Sequence, residues 1–128
     1  MQISLEKAEK HAIQAYSETK VKVNDTFYER SLIISQEKIL ASWPILTIID
    51  FDEQSAAPLV ELKPEIIIIG HDKPGLHPPL AIFEFFSKLG IGFECMSLGA
   101  ACRTFNVLLS EQRSVAAGLI LCNKHSIL

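Results

Sequence analysis

The sequence predicts an α/β fold: a β-α-β-α-β C-terminal half with an added N-terminal β layer. Three observations carry that expectation. Residues 63–128 alternate β-branched apolar runs with segments of helical period, punctuated by Pro and Gly. Residues 1–62 break instead into short β-like pieces between turn signals. No low-complexity linker or internal repeat separates the halves, so one domain spanning 1–128 is expected.

In chain order, Ala12 to Tyr16 reads as a first strand. Val21 and Val23 precede Asn24-Asp25, and Phe27 to Ile34 follow, which predicts a hairpin with a polar two-residue connection favouring positive φ. Trp43-Pro44 breaks the chain, and Ile45 to Ile49 reads as a further strand. Glu53 to Leu62 is a short helix candidate, with Pro58 restricting the helix to its first turn or to the residues after it. Ile66 to Ile69 is continuous and bounded by Pro64 and Gly70, as expected of a parallel strand buried on both faces. A loop from Gly70 to His77 then precedes a helix opened by Pro78-Pro79 and stopped by Gly90. Gly92 to Met96 is the next strand, expected parallel to Ile66 to Ile69. A small-residue turn at Ser97 to Gly99 leads into a helix with Ala101, Phe105 and Leu108 on one face and Arg103, Asn106 and Ser110 on another. Val115 to Leu121 completes the sheet.

The composition excludes several classes. Apolar residues make up 48% of the chain, so global disorder is out. No apolar run approaches the roughly 20 residues of a membrane helix. The first residues, Met1 to Lys7, resemble neither a secretory signal nor an Arg-rich transit peptide, and a soluble cytoplasmic protein is expected. The net charge is −3 and the basic residues are scattered, which disfavours nucleic acid as a partner. Cys95, Cys102 and Cys122 form no C-x-x-C pair, against a disulfide framework or zinc site and in keeping with reduced thiols. There is no G-x-G-x-x-G, P-loop or nucleophile elbow, so no cofactor is expected.

The most specific stretch is Gly99-Ala100-Ala101-Cys102-Arg103-Thr104-Phe105-Asn106-Val107-Leu108. It follows the blocks Pro64 to Gly70, Pro78-Pro79 and Gly90 to Met96. In that order these blocks resemble the small domain family that includes mitochondrial complex I (NADH dehydrogenase) assembly factor 3. Asn24, Tyr28, Ser31 to Ile33 and Trp43-Pro44 extend the likeness to most of the chain. The resemblance implies three layers with a central mixed sheet, and no catalytic residues. Ser97-Leu98 stands where members often carry Asp-Thr, His71 where a small residue is usual, and His77 where a Phe is usual.

Ligands of open α/β sheets sit beyond the carboxyl ends of the strands. Gly70 to His77 and Ser97 to Ala101 emerge on that edge, so Gly70, His71, Gly99, Cys102, Arg103 and Asn106 are the candidate ligand-binding residues. Gly99 would allow close backbone approach, Arg103 would supply charge and His71 a hydrogen bond. The alternative is that Gly99 serves the turn, while Arg103 and Asn106 lie on a solvated helix face or pair with a neighbouring loop. Cys102 near a helix start reads either as a low-pKa nucleophile without an identifiable base or as a small buried residue. His71 and His77 match no metal-ligand motif, and Glu84 and Glu94 form no carboxylate pair. Phe83, Phe85 and Phe86 cannot all enter one core, so one is expected at the surface. Two functions follow. The first is a non-enzymatic binding or assembly protein, whose partner the resemblance suggests to be respiratory complex I subunits. The second is a small-molecule or anion-binding enzyme using the loop edge near Gly70 and Arg103.

Overall fold

A computed structural model describes residues 11–121, so the readings made on Met1 to Lys7 and on Cys122 lie outside the described residues. β1 (Ile13–Tyr16), β2 (Val21–Val23) and β3 (Thr26–Tyr28) form an antiparallel three-stranded sheet. Asn24 and Asp25 take φ of 50° and 68°, the left-handed pair that a tight hairpin matched to strand twist requires. The run Phe27 to Ile34, expected as one strand, is two. β3 stops at Tyr28, and β4 (Leu32–Ser35) joins a second sheet. The division follows from burial: Thr26 and Phe27 face solvent, whereas Leu32, Ile33 and Ile34 are all buried and need cover on both faces. Ser31 fixes the switch. Its buried hydroxyl donates to the Ile45 carbonyl (2.7 Å) and accepts from the Leu121 N–H (3.0 Å).

The second sheet has the order β5 (Ile39–Leu40), β4, β8 (Val115–Leu119), β6 (Ile66–His71), β7 (Gly92–Ser97). It is mixed: β6 is parallel to β7 and β8, while β4 is antiparallel to β8 and β5. β5 has no counterpart in the sequence expectation. Ile45 to Ile49, expected as a strand, is an extended loop ending in a 3₁₀ turn at Ile48–Asp50. Pro44 lacks the N–H a strand needs, and the Thr47 hydroxyl caps the turn at Ile49. Ile45 and Ile48 are buried while Leu46 and Ile49 are exposed, a three-residue spacing and not an alternation.

α1 (Glu53–Val60) starts at a capping box, with the Ser55 N–H donating to Asp52 and the Asp52 N–H donating to Ser55, both at 2.9 Å. Pro58 lies inside this helix and not in its first turn. Gln54, whose carbonyl loses its usual partner, is exposed to solvent that can supply one. α2 (Leu80–Leu89) ends at Gly90 with φ of 73°, the left-handed stop the sequence predicts. α3 (Leu98–Ser110) is capped by Ser97. β7 runs directly into it, so the expected turn at Ser97 to Gly99 is absent and Gly99 belongs to the helix's first turn.

The isoleucines of β6 divide between two cores. Ile67 and Ile69 face α1, α2 and the Trp43–Phe51 loop; Ile68 faces α3 and the three-stranded sheet. The connections β6–α2–β7 and β7–α3–β8 run in opposite directions across the sheet and lie on opposite faces, which keeps one handedness for both. Three layers result: α1 with α2, the mixed sheet, and α3 with the small sheet. On α2, Phe86 is buried, Phe85 half-buried and Phe83 exposed, its ring edge-on to Phe93 at 5.1 Å.

Candidate functional site

The carboxyl ends of β6 and β7 open into a cleft of about 460 Å³. Three segments wall it: Tyr16 to Glu18 from the β1–β2 turn, the loop after β6 with His71, Asp72, Leu76 and His77, and Cys95 to Gly99 at the β7–α3 junction. The candidate residues divide at this cleft. His71 and Gly99 line it; Gly70, Cys102, Arg103 and Asn106 do not.

Gly70 is a packing residue. A Cβ there would stand 2.5 Å from the Cβ of Ala101 and 3.3 Å from the Leu98 backbone, so its bareness lets α3 lie close on β6. Gly99 likewise admits the Tyr16 ring, which would stand 2.9 Å from an added Cβ. Tyr16 in turn accepts a hydrogen bond from the Arg103 guanidinium, which sits just outside the cleft rim. Asn106 does something the sequence did not separate from a polar helix face. Its amide nitrogen donates to the Ile13 carbonyl (2.8 Å), and its oxygen accepts from the Ile13 N–H (2.9 Å). This side chain completes the outer edge of β1 as a neighbouring strand would, and anchors the small sheet to α3.

Cys102 is buried in the core behind α3, and burial pushes its thiol up to about 12, against a small opposing effect of Arg103. Cys95 is pushed up to about 11 for the same reason. Both thiols stay protonated at neutral pH, which is the setting of packing residues and not of nucleophiles. His71 ends β6 and is buried. Its Nδ1 accepts the Lys73 N–H (3.1 Å), so the neutral ring carries its proton on Nε2. Burial holds this imidazole below its ordinary value; His77 adds to that, while Asp72 opposes it.

Two expected results follow. Arg103→Ala should cost at most about 1 kcal/mol, since an exposed charged side chain contributes little. Asn106→Ala should cost about 1–2 kcal/mol, because two backbone groups of Ile13 lose their partner. Urea titrations of both variants check this order. The second result concerns pH. The native state resists protonating His71 while the unfolded chain takes the proton near 6.5. The contribution of His71 to stability is therefore complete above that pH and is lost as pH falls through it toward the lowered native value. Between pH 7.5 and 5.5 the urea midpoint of the natural chain should fall more than that of His71→Gln.

Tyr16, Ser17, Glu18, Cys95 and Met96 line the cleft outside the two loops that the sequence points to. Each is unremarkable locally, and only the pairing of distant segments brings them together. Among the described residues no group of three or more His, Cys, Asp or Glu could hold a metal, and no helix is long and apolar enough to cross a membrane.

A family model described as a protein of unknown function (DUF498/DUF598) matches residues 13–120. The 13 kDa major membrane protein of Francisella tularensis is 33% identical over 94 residues, covering 73% of this chain and 76% of that protein. The NADH dehydrogenase (ubiquinone) 1 alpha subcomplex assembly factor 3 of Drosophila melanogaster is 31% identical over 112 residues, covering 84% of this chain. The match spans only 57% of that assembly factor's own length. The NMR structure of a Xanthomonas campestris protein superposes with a TM-score of 0.80 at 28% identity, covering 88% of this chain and 86% of the other.

Proposed function

The chain belongs to the DUF498/DUF598 family, and from that premise we propose that it is a cytoplasmic binding protein that holds a partner polypeptide while a larger complex is assembled, without turning over a substrate. The observation that carries this reading is the character of the cleft. It is open and walled by Tyr16, Leu76 and Met96, its nearest thiol is protonated, and the adjacent cation is engaged by Tyr16. Such a surface suits an apolar side chain of a partner inside a polar rim. The likeness to complex I assembly factors supports subunits of that complex as the partner.

The test is deletion of the gene in its native host, with complex I content measured after complementation. The natural chain should restore the content, and Leu76→Asp, a change at an exposed loop position, should not. A second reading rests on the cleft's size. At about 460 Å³ it falls within the roughly 300–1,000 Å³ typical of small-molecule sites, and it lies beyond parallel strand ends, where such ligands bind. Unchanged complex I content, together with a metabolite whose thermal-shift signal is lost in His77→Ala, a change at an exposed residue of the cleft wall, would replace the first reading by the second.

A further inference from the structure

β7 closes one edge of the five-stranded sheet, and among the described residues no strand pairs with its outer side. The opposite edge is blunted by β5, only two residues long. β7 has six residues, pairs with β6 without a bulge, and contains neither Lys nor Pro. Of the usual guards of an exposed edge, β7 keeps only the charge of Glu94. The Gly92 N–H donates to the Glu65 carbonyl (2.9 Å). By strand alternation Gly92, Glu94 and Met96 direct their backbone groups to β6, while Phe93, Cys95 and Ser97 direct theirs outward.

We propose that β7 pairs antiparallel with β7 of a second copy of this chain, about a two-fold axis at Cys95, so that two sheets become one. A two-fold axis normal to the sheet keeps each face on its own side, so only residues of like parity can face each other. The register Cys95 to Cys95, with Phe93 to Ser97 on either side, is the one that engages all three outward residues of both copies. Centring the axis on Glu94 instead would set two carboxylates opposite each other at the close spacing of about 4.5 Å between Cα atoms. The chosen register places Glu94 against Met96. A foreign strand would have to be matched to this pattern, whereas a second β7 matches it by symmetry. The neighbouring helix face fits the same occupant. Phe83 rests on Phe93 yet is 38% exposed, and Leu80, one turn earlier on the same side of α2, is 73% exposed. The pairing brings a second α2 alongside them.

The experiment combines light scattering over a concentration series with thiol cross-linking in a Cys122→Ser background. In the proposed register the Cys95 Cα atoms stand about 5.5 Å apart, inside the roughly 4.4–6.8 Å range of a disulfide. Copper phenanthroline, taking two electrons as two protons leave the thiols, should join two chains, and Cys95→Ser should abolish the product. Cys95→Pro removes an outward N–H without touching the β6 pairing and should weaken association at least tenfold. If that variant fails to fold, amide exchange in the natural chain decides. The Phe93, Cys95 and Ser97 amides should exchange slowly at high concentration and quickly on dilution. A monomeric mass at every concentration, a dimer that survives Cys95→Pro, or exchange at those amides that ignores concentration would overturn the proposal.

Discussion

Phe105→Ala is expected to lower the unfolding free energy by about 3–5 kcal/mol, the range for truncating a buried aromatic side chain. The ring is fully buried and shares a core with Val21, Val23, Ile68 and Leu119. It therefore joins three bodies, the small sheet, α3 and the mixed sheet, and no one of them can collapse into the space it leaves. A urea midpoint series gives the value. A loss below about 1 kcal/mol would mean that the small sheet contributes almost nothing to global stability. Phe105→Leu, which keeps most of the volume, should recover much of the loss.

Gly70→Ala is expected to cost about 2–3 kcal/mol, at the upper end for overpacking. The new methyl meets the Ala101 Cβ and the Leu98 backbone of α3, neither of which is a flexible tip that could swing aside. The helix must lift. Leu98 and Gly99 line the cleft, so the same substitution should also change the cleft's shape. Exchanging the two residues tests the cause: Gly70→Ala with Ala101→Gly restores the room. The pair should recover stability apart from about 1 kcal/mol for glycine within a helix. A double variant no better than Gly70→Ala would refute contact with Ala101 as the source.

These predictions rest on features of unequal legibility in the sequence. Ile66 to Ile69 announces itself, because a short run of four β-branched residues bounded by Pro64 and Gly70 suits a strand covered on both faces. Asn24-Asp25 and Gly90 are equally plain, since their conformations are decided within the turn. Ile45 to Ile49 misleads because its apolar content suits either a strand or a tightly turning loop. Trp43, Phe51 and the sheet beneath decide between them, and all three are tertiary partners. Phe27 to Ile34 misleads for a related reason: strand propensity is continuous there, while the change of sheet is imposed by Ser31 bonding to residues far away in sequence. At the site, the strand-end rule points, from the β-α-β pattern, to the edge at which the cleft opens. It could not find Tyr16, which comes from the other sheet, nor separate Asn106 from the solvated face of α3. An amide that mimics a strand leaves no periodic trace.

The pairing order of the mixed sheet has a consequence for how the chain acquires its shape as it leaves the ribosome. β1 to β3 and β4 emerge before α3 and β8, yet the faces they bury are made by those later elements: Ile33 lies opposite Gly118, and Ile13 waits for Asn106. Until α3 and β8 are free of the exit tunnel, the early hairpins carry Ile13, Val21, Val23 and Leu32 without the cover those elements supply. A nascent chain arrested before residue 98 should therefore be a chaperone client and protease-sensitive along its N-terminal half. Release of α3 and β8 should close both cores together.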